Sequence, residues 1–289
     1  IGLVEFLPAA FLVLVTGMVA DRFQRKKVAM IGMAGELTSA LALMFYARTH
    51  PTAVAPIFFI TFLYGVSRAF IAPAARSIWP MVAPPGGLPA VVALSSATWT
   101  GAAILGPASS GLLYSVDPWV AYAVASGLVT LSMFVLTRVR TGQAATEENR
   151  ERPTLKHALE GLQFVRRTPI LLAAISLDLF AVLFGGAIAL LPVIAEERLN
   201  VGDVAYGWLR AAAGIGAASV ALFLAFRPAR RRIGRLLFFV VATFGIATIV
   251  LGLTHSYLVA FIAVIVASGA DMVSVFIRGS IVPLVTPDD

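Results

Sequence analysis

The sequence predicts an all-α membrane protein of about nine transmembrane helices, on three observations. Of the 289 residues, 59% are hydrophobic and only 13% charged, whereas a soluble domain carries roughly a quarter charged residues. Apolar runs of about 20 residues recur along the chain, the length a helix needs to cross a hydrocarbon core of roughly 30 Å. Basic residues cluster between alternate runs, as membrane topology requires. A soluble protein with a large apolar core needs no such runs, and the mean hydropathy of +0.90 fits the membrane reading.

The runs fall at residues 2–20, 28–47, 53–72, 89–114, 119–137, 170–194, 204–226, 233–253 and 257–277. Each is expected to be helical, because backbone groups in lipid must find their partners within the segment. Orientation follows from Lys and Arg. One side carries Arg22, Arg25, Lys26, Lys27, Arg76, the run from Arg138 to Arg167, and Arg227, Arg230, Arg231, Arg232 and Arg235. The other side carries Arg48 and Arg198. The basic side is cytoplasmic by the positive-inside rule.

Topology also accounts for the net charge of +7 and the pI near 10.2, so no nucleic-acid partner is expected. There are no cysteines, which removes thiolate metal sites and disulfides. His50, His157 and His255 are far apart in the chain. No metal, cofactor or catalytic cluster is expected, and an enzyme reading finds no support.

The longest loop, residues 138–169, is cytoplasmic. Leu155, Ala158, Leu159, Leu162 and Val165 recur in it at helical spacing. This pattern fits an amphipathic helix on the membrane surface or packed against the cytoplasmic face. The chain is thereby divided into an N-terminal bundle of five spans (1–137), the linker (138–169) and a C-terminal bundle of four spans (170–289).

Two cytoplasmic loops are expected to match each other. Ser77-Ile78-Trp79-Pro80-Met81-Val82-Ala83-Pro84 matches Ser280-Ile281-Val282-Pro283-Leu284-Val285-Thr286-Pro287, 203 residues on. Arg22, Arg25, Lys26 and Lys27 match Arg227, Arg230, Arg231 and Arg232, 205 residues on. Each pair encloses six spans, so the repeats run parallel. Two parallel six-helix repeats are the organisation of major facilitator transporters.

The stretch Gly17-Met18-Val19-Ala20-Asp21-Arg22-Phe23-Gln24-Arg25-Lys26 resembles the signature of that family, with Gln24 in place of its usual Gly. The signature lies after the family's second helix. The resemblance therefore implies that nine spans correspond to the family's second to tenth helices, with the first, eleventh and twelfth outside this chain. It implies a gate role for Asp21, Arg22, Arg25 and Lys26, with Gly17 allowing close helix approach. Topology-setting charge is the plainer account of the same cations.

Gly101 to Gly111, with Gly106, Pro107, Ser110 and Gly111, resembles the family's antiporter motif, departing from it at Ala102 and Ser110. Pro and small residues there let a helix bend and pack. Further stretches resemble the bacterial branch that includes the enterobactin exporter. They are Pro73-Ala74-Ala75, Leu105-Gly106-Pro107, Glu160-Gly161-Leu162, Arg166-Arg167-Thr168-Pro169, Leu191-Pro192, Tyr206-Gly207, Gly269-Ala270-Asp271-Met272 and Thr286-Pro287-Asp288.

Ionisable residues at bilayer depth cost about 2.5–3.5 kcal/mol on insertion scales and point to function by default. They are Glu5, Glu36, Arg68, Asp178, Arg210, Asp271 and Arg278. Asp178 lies about eight residues into its span. Arg68 and Asp271 are 203 residues apart and fall at related positions of the repeat. The resemblance places Asp178, Arg68 and Asp271 on cavity-lining helices, as proton-coupling or substrate residues, with structural polar pairing as the alternative. Glu5 and Arg278 lie near span ends and read as snorkelling side chains. Glu36 and Arg210 receive no role.

Together these features lead to a secondary transporter of the inner membrane that exports a small organic molecule, such as a siderophore or drug, against protons. It is expected to be a monomer working by alternating access. The rivals are an importer or facilitator of the same fold, and a sensor or scaffold without transport. With three helices outside it, this chain alone is expected to be inactive.

Overall fold

The computed structural model describes residues 2–49, 53–84, 86–139, 187–227 and 233–285, with isolated positions Arg166, Leu172, Ser176 and Leu179. The described chain is helical throughout: α1 Gly2–Arg22, α2 Arg25–Arg48, α3 Ala55–Val82, α4 Leu88–Val116 and α5 Pro118–Arg138. A helical stretch at 187–198 passes from a 3-10 turn (Ala187–Leu190) through Leu191–Val193 to a π-turn, Ile194–Arg198. Then follow α6 Asp203–Phe226, α7 Ile233–Leu253 and α8 Tyr257–Val285.

Seven helices among the described residues, α2 to α8, are long and apolar enough to cross a membrane. α1 is helical over 21 residues. The expected span at 170–194 lies mostly outside the described residues, as do the surface helix of the linker and the repeat partners Arg230 to Arg232.

The helix boundaries have local causes. Prolines stand in the first turn of α3, α4 and α5, where the missing N–H has no intrahelical partner to lose. Asp117 alone separates α4 from α5, and its carboxylate accepts the Trp119 N–H at 3.3 Å, an N-cap. Only Phe23 and Gln24 separate α1 from α2. Gln24 sits at φ −58°, ψ 111°, a region open to any residue, so this turn does not need the family's glycine.

The two matching segments, expected as loops, are the inner ends of helices. α3 continues to Val82 and α8 to Val285, residues 203 apart. At 1.5 Å per residue both helices reach roughly 42 Å, beyond the roughly 30 Å of hydrocarbon. The hydropathy drop after residue 72 therefore marks the edge of the lipid, not the end of the helix.

Contacts group the chain into two units, 1–98 with 112–148 and 99–111 with 149–289. In the first, α1 and α2 pack on α3, and α2 packs on α5. Val28, Ala29, Ala74 and Ile78 form a buried cluster at its inner end. In the second, α6 and α7 pack on α8. Its core holds Leu191, Ile194, Leu209, Leu251 and Val264, with small residues such as Ala212, Ala260 and Ala263 between them. Small residues let helix backbones approach where lipid offers no hydrophobic drive.

Cations close helix ends on both faces. Arg25, Lys26 and Lys27 open α2, the end where a helix dipole disfavours positive charge. Lys26 is relieved by reaching across its unit to the last carbonyls of α5, donating to Thr137 O at 3.0 Å and Val139 O at 2.8 Å. On the opposite face Arg198 donates to the Gly252 carbonyl at the end of α7, and the Tyr257 hydroxyl donates to Ala205 O at 3.0 Å. Lys26→Met is expected to lower the thermal midpoint of the detergent-solubilised protein by about 3 °C through the lost charged hydrogen bonds. Lys26→Arg should retain most of it. An unchanged midpoint for Lys26→Met would show that these bonds carry no net stability.

Candidate functional site

The first unit holds a charged cluster within the apolar part of α3. Arg68 is the fourteenth residue of the 28-residue α3, and Glu36 the twelfth of the 24-residue α2. Glycines set what lies beside Arg68. A Cβ on Gly65 would sit 2.5 Å from the Glu5 carbonyl oxygen, with the Glu5 carbon atoms at 3.1 and 3.2 Å. Only a glycine lets α1 come this close, and the approach brings Glu5 level with Arg68. On the other flank, a Cβ on Gly35 would strike the Ser67 hydroxyl, and one on Gly32 would lie 2.6 Å from Ile71 and 3.2 Å from the Ser67 carbonyl. This contact holds α2 against α3 one residue away from both Glu36 and Arg68.

The result is a carboxylate from α1 against the guanidinium of α3. Arg68 Nη1 donates to Glu5 Oε1 at 3.2 Å and to the Tyr64 hydroxyl at 3.2 Å. Its guanidinium lies 6.0 Å from the Tyr64 ring centre. The ion pair is open, with Arg68 53% and Glu5 37% exposed in their side chains. It borders a cavity of about 620 Å³, whose walls include Gly2, Phe6, Ala9, Gly17, Ala69 and Pro73. That volume suits a drug-sized organic molecule.

Glu5 is thus Arg68's partner and not a snorkelling residue. Its place near the start of α1 does not put it near water, because α1 lies beside the middle of α3. Gly17 also differs from expectation. A Cβ there would meet nothing within 4 Å, and the residue lines the cavity instead of a helix contact.

The antiporter-like motif divides in the same way. At Gly106 a Cβ would meet nothing within 4 Å. At Gly111 it would sit 2.6 Å from the Asp203 carbonyl oxygen and 2.9 Å from Gly207 Cα. Gly207 answers from α6, where a Cβ would lie 2.7 Å from the Pro107 carbonyl oxygen. Gly214 repeats the contact two turns on, against Ala103 and Ile104. Both partners belong to the second unit. Pro107 therefore contributes its carbonyl to a seam between residues 99–111 and α6.

In that unit Asp271 is half-buried on α8. Ser268, one turn before it, is 8% exposed, and its hydroxyl has no hydrogen-bond partner among the described residues. Ser274, on the following turn, is buried. Arg210 is exposed and donates to the Tyr206 hydroxyl at 3.3 Å. Tyr206-Gly207-Trp208-Leu209-Arg210 thereby repeats the pattern of Tyr64-Gly65-Val66-Ser67-Arg68: a backbone-contact glycine beside a tyrosine that holds an arginine one turn on. That match, three identities in five residues, was visible in the sequence. Asp178 and the side chains of Asp21, Arg22 and Arg278 lie outside the described residues. Arg25 opens α2 beside Lys26. Among the described residues no three His, Cys, Asp or Glu side chains gather where they could hold a metal ion.

Comparison with known proteins defines the class. The model of the transmembrane secretion effector family, a major facilitator family, matches residues 3–288. The chain belongs to that family. A curated relative, an uncharacterised major-facilitator-type transporter of Bacillus subtilis (strain 168), is 26% identical over 257 residues, 86% of this chain and 57% of the relative. The fold matches that of a bacterial homologue of the human lysosomal transporter Spinster, solved in an inward-facing and occupied conformation. The TM-score is 0.64 at 16% identity, over 98% of this chain and 65% of the other. The chain thus spans somewhat more than half the length of the proteins it matches.

Proposed function

We propose that this chain is the greater part of a secondary active transporter that exports a small organic molecule by alternating access, coupled to protons. One observation carries the reading: in a chain of the secretion effector family, an open Glu5–Arg68 ion pair within an apolar span borders a cavity of about 620 Å³. A charge pair held there is costly unless it does work on a substrate or an ion. Asp271, with Ser268 beside it, is the matching candidate in the second unit, and Asp178 a third coupling residue. The antiporter-like motif and the stretches shared with the enterobactin-exporter branch favour export of a siderophore or hydrophobic drug. The working unit is a monomer in the bacterial inner membrane, with protons, lipid and the substrate as its partners. Lys26 and its neighbours at the inner ends of α1 and α2 serve the gate.

The test is proton flux in inverted vesicles containing the full-length protein and a preformed proton gradient. Adding siderophores and hydrophobic cations in turn is expected to collapse the gradient with one class. Asp178→Asn should abolish that collapse while leaving the protein folded. A gradient untouched by every substrate, with folded protein present, would refute proton-coupled export of these compounds.

A further inference from the structure

Arg210 has no role from the sequence, and its place on α6 supplies one; this step rests on the export reading and names a substrate class for it. Arg210 is the eighth residue of the 24-residue α6, within an apolar span. Its Nη1 donates to the Tyr206 hydroxyl at 3.3 Å. Among the described residues, Nη2 and Nε have no hydrogen-bond partner and no carboxylate pairs with the guanidinium. Arg68, by contrast, has its carboxylate in Glu5. A guanidinium within an apolar span is costly unless it faces water or finds an anion.

The contacts of α6 fix which way Arg210 turns. Gly207 and Gly214 touch the 99–111 segment of α4, and Gly216 touches the Ile265 carbonyl of α8. At 3.6 residues per turn, Arg210 stands about 50° and Tyr206 about 90° from the line of Gly207 and Gly214, both turned toward the α8 contact. Ala213 and Ala217 continue the same arc toward the basic side. The opposite arc carries Val204, Trp208, Ile215 and Leu222. Those residues are bulky and apolar, with Trp208 44% and Leu222 62% exposed, which suits lipid. The arc of Arg210, polar and then small, suits water and a substrate.

α4 crosses this seam antiparallel to α6, since Gly111 meets Gly207 while Ala103 meets Gly214. For antiparallel right-handed helices the same count turns Gly106 and Ser110 out of the seam on the side of Arg210. It turns Ala108 and Ala211 to the other side, where both are buried. Ser110 is exposed, and its hydroxyl has no hydrogen-bond partner among the described residues. A Cβ on Gly106 would meet nothing within 4 Å, so the space beside Ser110 is open.

We propose that Arg210, Tyr206 and Ser110 form the subsite that takes the carboxylate of the exported molecule. Nη2 and Nε offer parallel N–H donors that match the two oxygens of a carboxylate. The Tyr206 hydroxyl accepts from Nη1, fixes the guanidinium plane and keeps its own proton to donate. The Ser110 hydroxyl donates from α4. The bound anion neutralises the arginine inside the span. The substrate class is an amphipathic organic acid, with its apolar body along Ala213 and Ala217.

The test is titration calorimetry on the full-length protein in phosphatidylcholine nanodiscs, with empty discs as the blank. The probes are 1-naphthoate, its neutral amide and 1-naphthylmethylammonium. The wild type is expected to bind the acid at least about tenfold more tightly than the amide, and the ammonium least. Arg210→Gln should lose that preference with an unchanged thermal midpoint. Ser110→Ala should weaken acid binding about threefold. Arg210→Lys keeps the charge without the fork and should fall between wild type and Arg210→Gln. Asp178→Asn should leave acid binding unchanged. The proposal is overturned if the wild type does not prefer the acid, or if folded Arg210→Gln or Arg210→Lys binds it as the wild type does. A tenfold gain in Asp178→Asn would make Asp178 the partner of Arg210 and overturn it as well. So would displacement of naphthoate by soluble dihexanoylphosphatidylglycerol, which would give the site to a lipid phosphate. These failures leave the vesicle experiment free to show export of another substrate, and acid binding without proton flux would fault the coupling alone.

Discussion

Arg68→Leu will reduce transport by the full-length protein at least about 100-fold, the largest effect expected of any single substitution here. The reason is charge. The change leaves Glu5 at the cavity wall without the cation it pairs with, and an unpaired carboxylate within an apolar span is costly. Arg68→Lys should recover little, since a compact ammonium on a shorter, flexible stem replaces the planar guanidinium held between Glu5 and Tyr64. Adding Glu5→Gln to Arg68→Leu should restore thermal stability without restoring transport. Substrate flux in proteoliposomes and the thermal midpoint, measured on the same preparations, separate the two effects. Arg68→Leu with normal flux would remove the cluster from the mechanism altogether.

Second in size is Gly111→Val. The new side chain would start 2.6 Å from a carbonyl oxygen and 2.9 Å from an α-carbon. Both are backbone, with no rotamer to give way, so residues 99–111 and α6 must part. Overpacking of this kind costs about 1–3 kcal/mol or more. The thermal midpoint is expected to fall by about 10 °C, with loss of monodisperse protein on size exclusion. Gly207→Val should behave alike. Gly106→Val, in the same motif but with nothing within 4 Å, should be close to silent. Equal effects at positions 106 and 111 would mean that the seam is not the reason for the motif.

How far the fold could be read from the sequence depends on what set each feature. Lipid imposes its demand on composition, so the apolar runs and the sidedness of Lys and Arg are written residue by residue. Structure and sequence agree there: Lys26 and Val139 meet on the basic side, and Arg198 and Gly252 on the other. The helix ends were harder. Hydropathy falls at residue 72, but hydrogen bonding does not, and α3 runs on to Val82. The candidate site was half legible. Arg68 stood out because a charge in an apolar run has no bland explanation. Glu5 could not be joined to it, because its proximity depends on which glycine faces which helix. Gly17 and Gly65 look equivalent in the sequence, yet Gly17 borders open space and Gly65 touches a backbone.

The bonds from Lys26 and Arg198 end on main-chain oxygens, those of Thr137, Val139 and Gly252. Every residue carries such an oxygen, so the residues at 137, 139 and 252 are free to change in evolution without disturbing either link. Among relatives, the lysine and the arginine would therefore vary independently of the positions they hold, and correlated substitution would not reveal the pairs. Methods that infer proximity from sequence covariation would pass over two ties between helices, one within each unit.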